Sequence, residues 1–127
     1  MTFQSSPEMR SQVVTACKVL HHFKIVEGFG HISLRLKDRM MITPRKALGL
    51  VTEDELVELD MGGKQVAGKG APPLEWPMHM AVYARRSDVM SIARGHTRNV
   101  AAYACSGQPL RVAHGFGDRK STRLNSS

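Results

Sequence analysis

The stretch EGFGHISLRLKDRMMITP, residues 27–44, is where a helical repeat gives way to alternation, and its reading decides the fold class. Ile32, Leu34 and Leu36 alternate with His31, Ser33 and Arg35, the period of a strand with one buried face. Lys37-Asp38-Arg39 makes a turn, and Met40, Met41 and Ile42 return as a second strand that ends in Thr43-Pro44-Arg45-Lys46. Upstream, Met9, Val13, Cys17 and Leu20, joined by Ala16 and Phe23, recur at helical spacing and predict a core-facing stripe. Ser5 with Glu8, and Pro7 between them, signal the start of that helix, because a side-chain cap satisfies a free N–H and a first-turn proline removes one. His21 and His22 close it at the negative end of the helix dipole and read as structural.

Downstream, Thr52 with Glu55 forms a capping box for one short helical turn, residues 56–59 read as a strand, and Met61-Gly62-Gly63-Lys64 turns the chain into Gln65-Val66-Ala67. The turn-rich segment 68–73 opens a second helix over 74–86, with Leu74, Met78, Ala81 and Val82 as its apolar stripe and Glu75 and His79 together on another face. Residues 90–93 form a short strand that leads through Arg94-Gly95-His96-Thr97 into a third helix over 99–106, stopped by Gly107 and Pro109, and 110–112 begin another strand. Helices and hairpins interleave without internal repeats. The expected class is α/β, a mixed sheet flanked by helices.

A chain of 127 residues with 42% apolar and 23% charged residues is neither a disordered tail, a collagen nor a disulfide framework, so one globular domain over 1–117 is expected. Cys17 and Cys105 are far apart in apolar surroundings and read as reduced thiols. No signal-like segment is seen and no apolar run approaches the ~20 residues of a membrane span, so a cytoplasmic protein without a membrane partner is expected. The net charge of +7 falls to +5 without the last ten residues, Asp118 to Ser127, which hold three cations against one anion. That string, DRKSTRLNSS, matches a translated frame of a common sequencing-library adapter, so 118–127 is read as an artefactual tail, with the native chain expected to continue past Gly117. The remaining basic residues are scattered without an aromatic-interleaved stripe, so no nucleic-acid partner is expected.

Chemistry-bearing residues fall at strand and helix ends: Gly30-His31-Ile32-Ser33, Thr43-Pro44-Arg45-Lys46, Glu75 with His79, and Arg94-Gly95-His96. Gly30-His31-Ile32-Ser33 followed by Leu34-Arg35, Met41-Ile42-Thr43-Pro44, Leu56-Val57-Glu58-Leu59-Asp60 with its Gly62-Gly63 turn, and above all Glu75-Trp76-Pro77-Met78-His79-Met80-Ala81-Val82-Tyr83 followed by Arg86-Ser87-Asp88-Val89 resemble the class II aldolase/adducin family over most of residues 8–117, which implies that family's three-layer sandwich. The resemblance implies a metal-assisted carbon–carbon lyase, an aldolase or decarboxylase, that acts on a small substrate through an enolate-type intermediate. A carbanion beside a carbonyl needs an electrophile on the oxygen, and a divalent ion, zinc or manganese, supplies one as a Lewis acid.

On the family pattern Glu75 is the catalytic acid/base and approaches the metal, and His96 matches the second histidine of a metal-binding His-x-His pair. Arg94 stands at the first, where a guanidinium cannot ligate, and the third lies beyond Gly117. Two readings follow: a metal held by fewer histidines plus other groups, or an arginine that binds substrate anion or an oxyanion directly. Gly30-His31 and Pro73-Leu74 stand where phosphate-binding members carry Gly-Asn and Ser-Ser, while Arg45 and Lys46 suit a carboxylate, so a small acidic, non-phosphorylated substrate is expected near Gly30, His31, Thr43, Arg45, Lys46 and Arg94. The family also implies a homo-oligomer for the full-length protein. The competing reading is a non-catalytic, adducin-like assembly domain.

Overall fold

The computed structural model describes residues 5–111, so the 118–127 tail, His114 and the end of the 110–112 segment lie outside the described residues. Helix α1 spans Pro7–His22, followed by strands β1 (Gly30–Arg35), β2 (Arg39–Ile42), β3 (Val57–Asp60) and β4 (Gln65–Ala67), then α2 (Trp76–Arg85), β5 (Ser91–Gly95) and α3 (Arg98–Cys105). Single 3-10 turns at Leu48–Leu50 and Glu53–Glu55 fill the β2–β3 connection, the second carrying the expected Thr52–Glu55 capping box. The strands form one antiparallel sheet in the order β4-β3-β2-β1-β5. The chain meanders from β1 to β4, then α2 crosses the sheet and sets β5 beside β1.

Strand parity divides the core in two. Ile32, Leu34 and Met41 face α1, where they pack with Val13, Val14, Cys17, Val26, Leu36, Leu48, Val51 and Leu56. The alternate positions Met40, Ile42, Val57 and Leu59 face α2 and meet Met80 and Tyr83. Each fully buried Leu, Ile or Met is worth about 1.5–3 kcal/mol, so both layers contribute to stability. The single buried face expected for β1 is therefore corrected: α2 covers the other side, and His31 and Ser33 are buried as well.

The helix faces also differ from expectation. On α2 the buried residues are His79, Met80 and Tyr83, whereas Leu74 and Met78 of the expected stripe are exposed. On α1, Met9 and Phe23 are exposed, and Val14 is buried in their stead. The N-cap of α1 is Ser6, whose Oγ accepts from the Met9 N–H at 3.2 Å, because Pro7 already occupies the first helical turn. Ser5 has another partner: its hydroxyl donates to the buried Glu58 carboxylate, which also accepts from Arg10 at 2.6 Å and Arg39 at 3.2 Å. That cluster ties the start of α1 to β2 and β3. At the far end α1 closes in a Schellman motif, with Lys24 N–H on His21 O and Ile25 N–H on Leu20 O, which puts Lys24 at φ 55°.

On the opposite face Arg35 secures the end of α2. Its guanidinium donates to the carbonyls of Tyr83 at 2.8 Å, Arg86 at 2.7 Å and Val89 at 2.8 Å, and lies 4.7 Å from the Tyr83 ring centroid. A cation there meets the negative end of the helix dipole while satisfying carbonyls that the helix leaves unpaired. The sheet, through β1, thereby sets where the first turn of α2 must lie.

Candidate functional site

A cleft of about 290 Å³ opens where the start of β1, the end of β2, the end of β5 and the start of α2 converge. Gly28, Phe29, Gly30 and His31 form one wall, Pro44, Arg45, Lys46 and Ala47 a second, and Pro73, Glu75 and Arg94 close it. Five of the residues expected near substrate, Gly30, His31, Arg45, Lys46 and Arg94, thus share one space with Glu75. Sheet register explains part of the convergence, because His31 pairs with Arg94 across β1 and β5 and both side chains project to the α2 face. Glu75 precedes the first residue of α2 and is brought over that pair.

At the centre the Glu75 carboxylate reaches in two directions, with Oε2 3.5 Å from His31 Nε2 and Oε1 3.5 Å from the Arg94 guanidinium. Glu75 is half-exposed and Arg94 a third exposed, so solvent reaches both, whereas His31 is buried. Burial is the first cause holding the His31 pKa below its ordinary value; the Glu75 charge opposes it, and the neighbouring Arg94 and His96 add to it.

The remaining expected residues are placed differently. Thr43 is buried with its Oγ1 accepting from the Ile32 N–H at 3.1 Å and its own N–H donating to Ile32 O at 2.9 Å, so it fastens β2 to β1 and does not line the cleft. Lys46 lines the cleft while its ammonium is held by both Glu55 oxygens, at 2.9 and 3.1 Å. Arg45 is exposed; its backbone N–H donates to Ala71 O at 2.8 Å, and its guanidinium makes a long contact of 3.5 Å to Pro72 O. Gly30 is required by backbone approach, since a Cβ there would collide with Val26 and the Arg94 carbonyl. His96 follows the end of β5, exposed, with Nδ1 3.5 Å from Phe29 O; it stands outside the lining yet close enough to His31 to act on its charge.

Behind His31 lies a set of groups not expected from the sequence. His31 Nδ1 is 2.6 Å from His79 Nε2, His79 Nδ1 is 2.7 Å from Ser33 Oγ, and Ser33 Oγ is 2.8 Å from the Tyr83 hydroxyl. All four are buried. Helical spacing would pair His79 with Glu75 one turn away; its ring points into the sheet to His31 instead. Burial, followed by the charges of His31 and Arg94, lowers its pKa to about 4, and burial raises that of Tyr83. A signal for this set does exist in the chain: Glu75, His79 and Tyr83 are spaced by four on the helix, and His31 and Ser33 share one strand parity.

A catalytic metal site takes about three protein donors. Among the described residues no three His, Cys, Asp or Glu side chains stand close enough to hold an ion, and Arg94 brings a non-ligating cation to the Glu75 carboxylate. The described residues therefore do not fit a metal by themselves.

Comparison with known proteins identifies the family and the fold. The family described as Class II Aldolase and Adducin N-terminal domain matches residues 11–121. The chain is 29% identical over 109 residues to the L-fuculose phosphate aldolase of Escherichia coli O6:H1, covering 84% of this chain and 50% of that protein. It is 31% identical over 90 residues to the L-fuculose phosphate aldolase of Methanocaldococcus jannaschii, covering 69% of this chain and 49% of the relative. A solved L-fuculose 1-phosphate aldolase superposes with a TM-score of 0.80 at 28% identity, covering 90% of this chain and 56% of the other. The chain spans about half the length of the curated relatives it matches.

Proposed function

The chain belongs to the class II aldolase and adducin family, and from that premise we propose that it carries one wall of a carbon–carbon lyase site acting on a small acidic hydroxy or keto substrate. One observation carries the reading: a carboxylate, Glu75, stands 3.5 Å from both a guanidinium and a buried imidazole at the mouth of a cleft whose opposite wall bears Arg45 and Lys46. Arg45 pairs with the substrate carboxylate, Lys46 adds positive potential from its place beside Glu55, and Gly30 with the strand end that Thr43 secures keeps that wall close. Arg94 and His31 lie where negative charge grows on a carbonyl oxygen.

The bond to the departing carbon breaks, its electron pair passes into the carbonyl as an enolate, and CO2 or an aldehyde leaves. In aldol cleavage the Glu75 carboxylate takes the proton from the substrate hydroxyl as the bond breaks and returns it to the enolate carbon; in decarboxylation, which consumes one proton, that proton comes from water and reaches the enolate carbon through the solvent-accessible Glu75. The relatives' names carry a phosphate, whereas the cleft lining here holds no hydroxyl or amide side chain, which favours a carboxylate over a phosphoryl group. His96 and Glu75 are the donors this chain could lend to zinc or manganese, and a stoichiometric ion in the complete protein would mean that residues outside 5–111 finish the set. The complete protein is read as a cytoplasmic homo-oligomer.

The test is release of CO2 or aldehyde by the complete protein from hydroxy acids, keto acids and sugar phosphates in parallel, with Glu75→Gln alongside. Turnover of an acid with a loss of about 10²–10⁴-fold in the variant is expected. Full activity in Glu75→Gln removes the assignment. Preference for the sugar phosphate overturns the substrate class, and a folded protein that turns over none of the three supports the assembly-domain reading.

A further inference from the structure

The chain of hydrogen bonds behind the cleft has only one arrangement of protons that uses every donor. Tyr83 is buried, its hydroxyl oxygen faces the donating Ile92 backbone N–H, and Ser33 Oγ at 2.8 Å is the acceptor left for the phenol proton, which is donated to Ser33. The Ser33 hydroxyl then has one proton of its own and one remaining partner, His79 Nδ1 at 2.7 Å, which must be the bare, accepting nitrogen. A neutral His79 consequently carries its proton on Nε2 and donates it across 2.6 Å to His31 Nδ1. That leaves His31 with an accepting Nδ1 and an N–H at Nε2, the nitrogen that faces the cleft. Because each ring must keep a bare Nδ1 to accept its hydrogen bond, both imidazoles are neutral in this arrangement. The Arg94 guanidinium, 3.5 Å from His31 Nε2, is too far for a good hydrogen bond and does not require that nitrogen to accept.

We propose that Tyr83, Ser33 and His79 are positioning residues that lock His31 in the Nε2–H tautomer, so that the cleft presents an uncharged hydrogen-bond donor and selects a ligand with an acceptor-only oxygen, a carboxylate or carbonyl, at that point. The proposal rests on the lyase reading for what binds there, but the tautomer itself does not. Arg94 and Arg45 then put two guanidinium groups in the cleft beside one neutral donor, with the Lys46 ammonium held at the same wall by Glu55. A hydroxyl ligand retains its own donor bond toward Glu75, whereas an ammonium group finds no acceptor at His31.

The test is two-bond 15N–1H correlation of the imidazole rings in the chain labelled with 15N-histidine, near neutral pH, with malonate as the probe ligand. The expected result is protonated Nε2 and bare Nδ1 for both His31 and His79, with the His31 Nε2–H signal moving as malonate is added. Ser33→Ala, which removes the donor to His79 Nδ1, is expected to turn His31 into a mixture of tautomers. His79→Gln, whose amide can still donate to His31 Nδ1, is expected to keep the Nε2–H form, and His79→Ala to lose it. Circular dichroism of each variant establishes that it folds, and a merely structural role would leave the His31 tautomer unchanged in Ser33→Ala. An Nδ1–H form of His31 in the parent chain, or an unchanged tautomer in both alanine variants, overturns the proposal. An intact tautomer that malonate does not perturb overturns the choice of ligand and weakens the lyase reading, leaving the locking chain in place.

Discussion

His79 makes the native state sensitive to mild acid. Its ring, fully buried between β1 and α2, binds a proton at about 4 in the folded chain against 6.5 for an ordinary histidine, with burial the first cause. Between those values the unfolded chain takes up a proton that the native chain refuses, so stability rises with pH across the window and is lost as the solution is acidified. For one such site the loss is about 2 kcal/mol at pH 5 and about 3 kcal/mol at pH 4, set against a total of roughly 5–15 kcal/mol for a domain. His31 is shifted in the same direction and adds to the slope, whereas Glu58, held below its ordinary value, adds to it only at more acid pH. Urea unfolding followed by the single tryptophan, Trp76, half-buried at the start of α2, measures the effect at about pH 7 and about pH 5. In parallel, His79→Gln is expected to be less stable near neutrality but to lose most of the slope. A parent protein whose stability holds within about 0.5 kcal/mol between the two pH values refutes the reasoning, as does a variant with an undiminished slope.

Glu58→Ala should lower stability by about 3–5 kcal/mol, because the buried carboxylate is the shared acceptor of Ser5, Arg10 and Arg39 and its loss leaves the buried Arg39 guanidinium to the exposed Asp38 carboxylate; chemical denaturation reads the loss directly. In the parent, burial opposes the charged form of Glu58 but the three hydrogen bonds outweigh it, so its contribution is complete above 4.5 and disappears as pH falls through the depressed native value. Lys24→Gly should stabilise the protein by about 0.5–1 kcal/mol in a thermal melt, since it relieves a side chain held at φ 55° without touching the Schellman bonds. Arg35→Met keeps apolar contact with Tyr83 but removes three charge-assisted donors from the end of α2; a loss of about 2–3 kcal/mol is expected, with hydrogen exchange rising first in the last turn of that helix.

Part of this arrangement is legible in the amino-acid sequence alone. Ile32, Leu34 and Leu36 are enough to place a strand whose apolar parity faces a helix, and Thr52 with Glu55 marks its turn because the reciprocal bonds involve only neighbours in sequence. The cap of α1 lies one residue beyond the serine that the local pattern selects: Pro7 at the first helical position makes Ser6 the cap and releases Ser5 to a carboxylate 53 residues away, which no local signal contains. The buried face of α2 escapes the pattern for a more general reason. A hydropathy stripe ranks Leu74 and Met78 above His79 and Tyr83, yet the inward face carries these two polar residues beside Met80, and they can be buried because each finds a partner on β1.

The same parity that hides the α2 face from a hydropathy reading also explains why the candidate site lies where it does. On β1 the even positions Ile32 and Leu34 hold α1, while the odd positions His31, Ser33 and Arg35 all meet α2. Arg35 fixes the last turn of α2, Ser33 meets its middle through His79 and Tyr83, and His31 meets Glu75 at its start, so one strand edge sets the helix along its whole length. β5 then brings Arg94 opposite His31 in register. A one-residue slip of β1 would turn these polar groups toward the apolar α1 layer and expose unpaired donors to it, at a cost of about 1–3 kcal/mol for each buried group left unmatched. The register of the sheet and the geometry of the cleft are thus set by the same interactions, and a substitution at Ser33 or Arg35, neither of which lines the cleft, should disturb the charge cluster at its mouth.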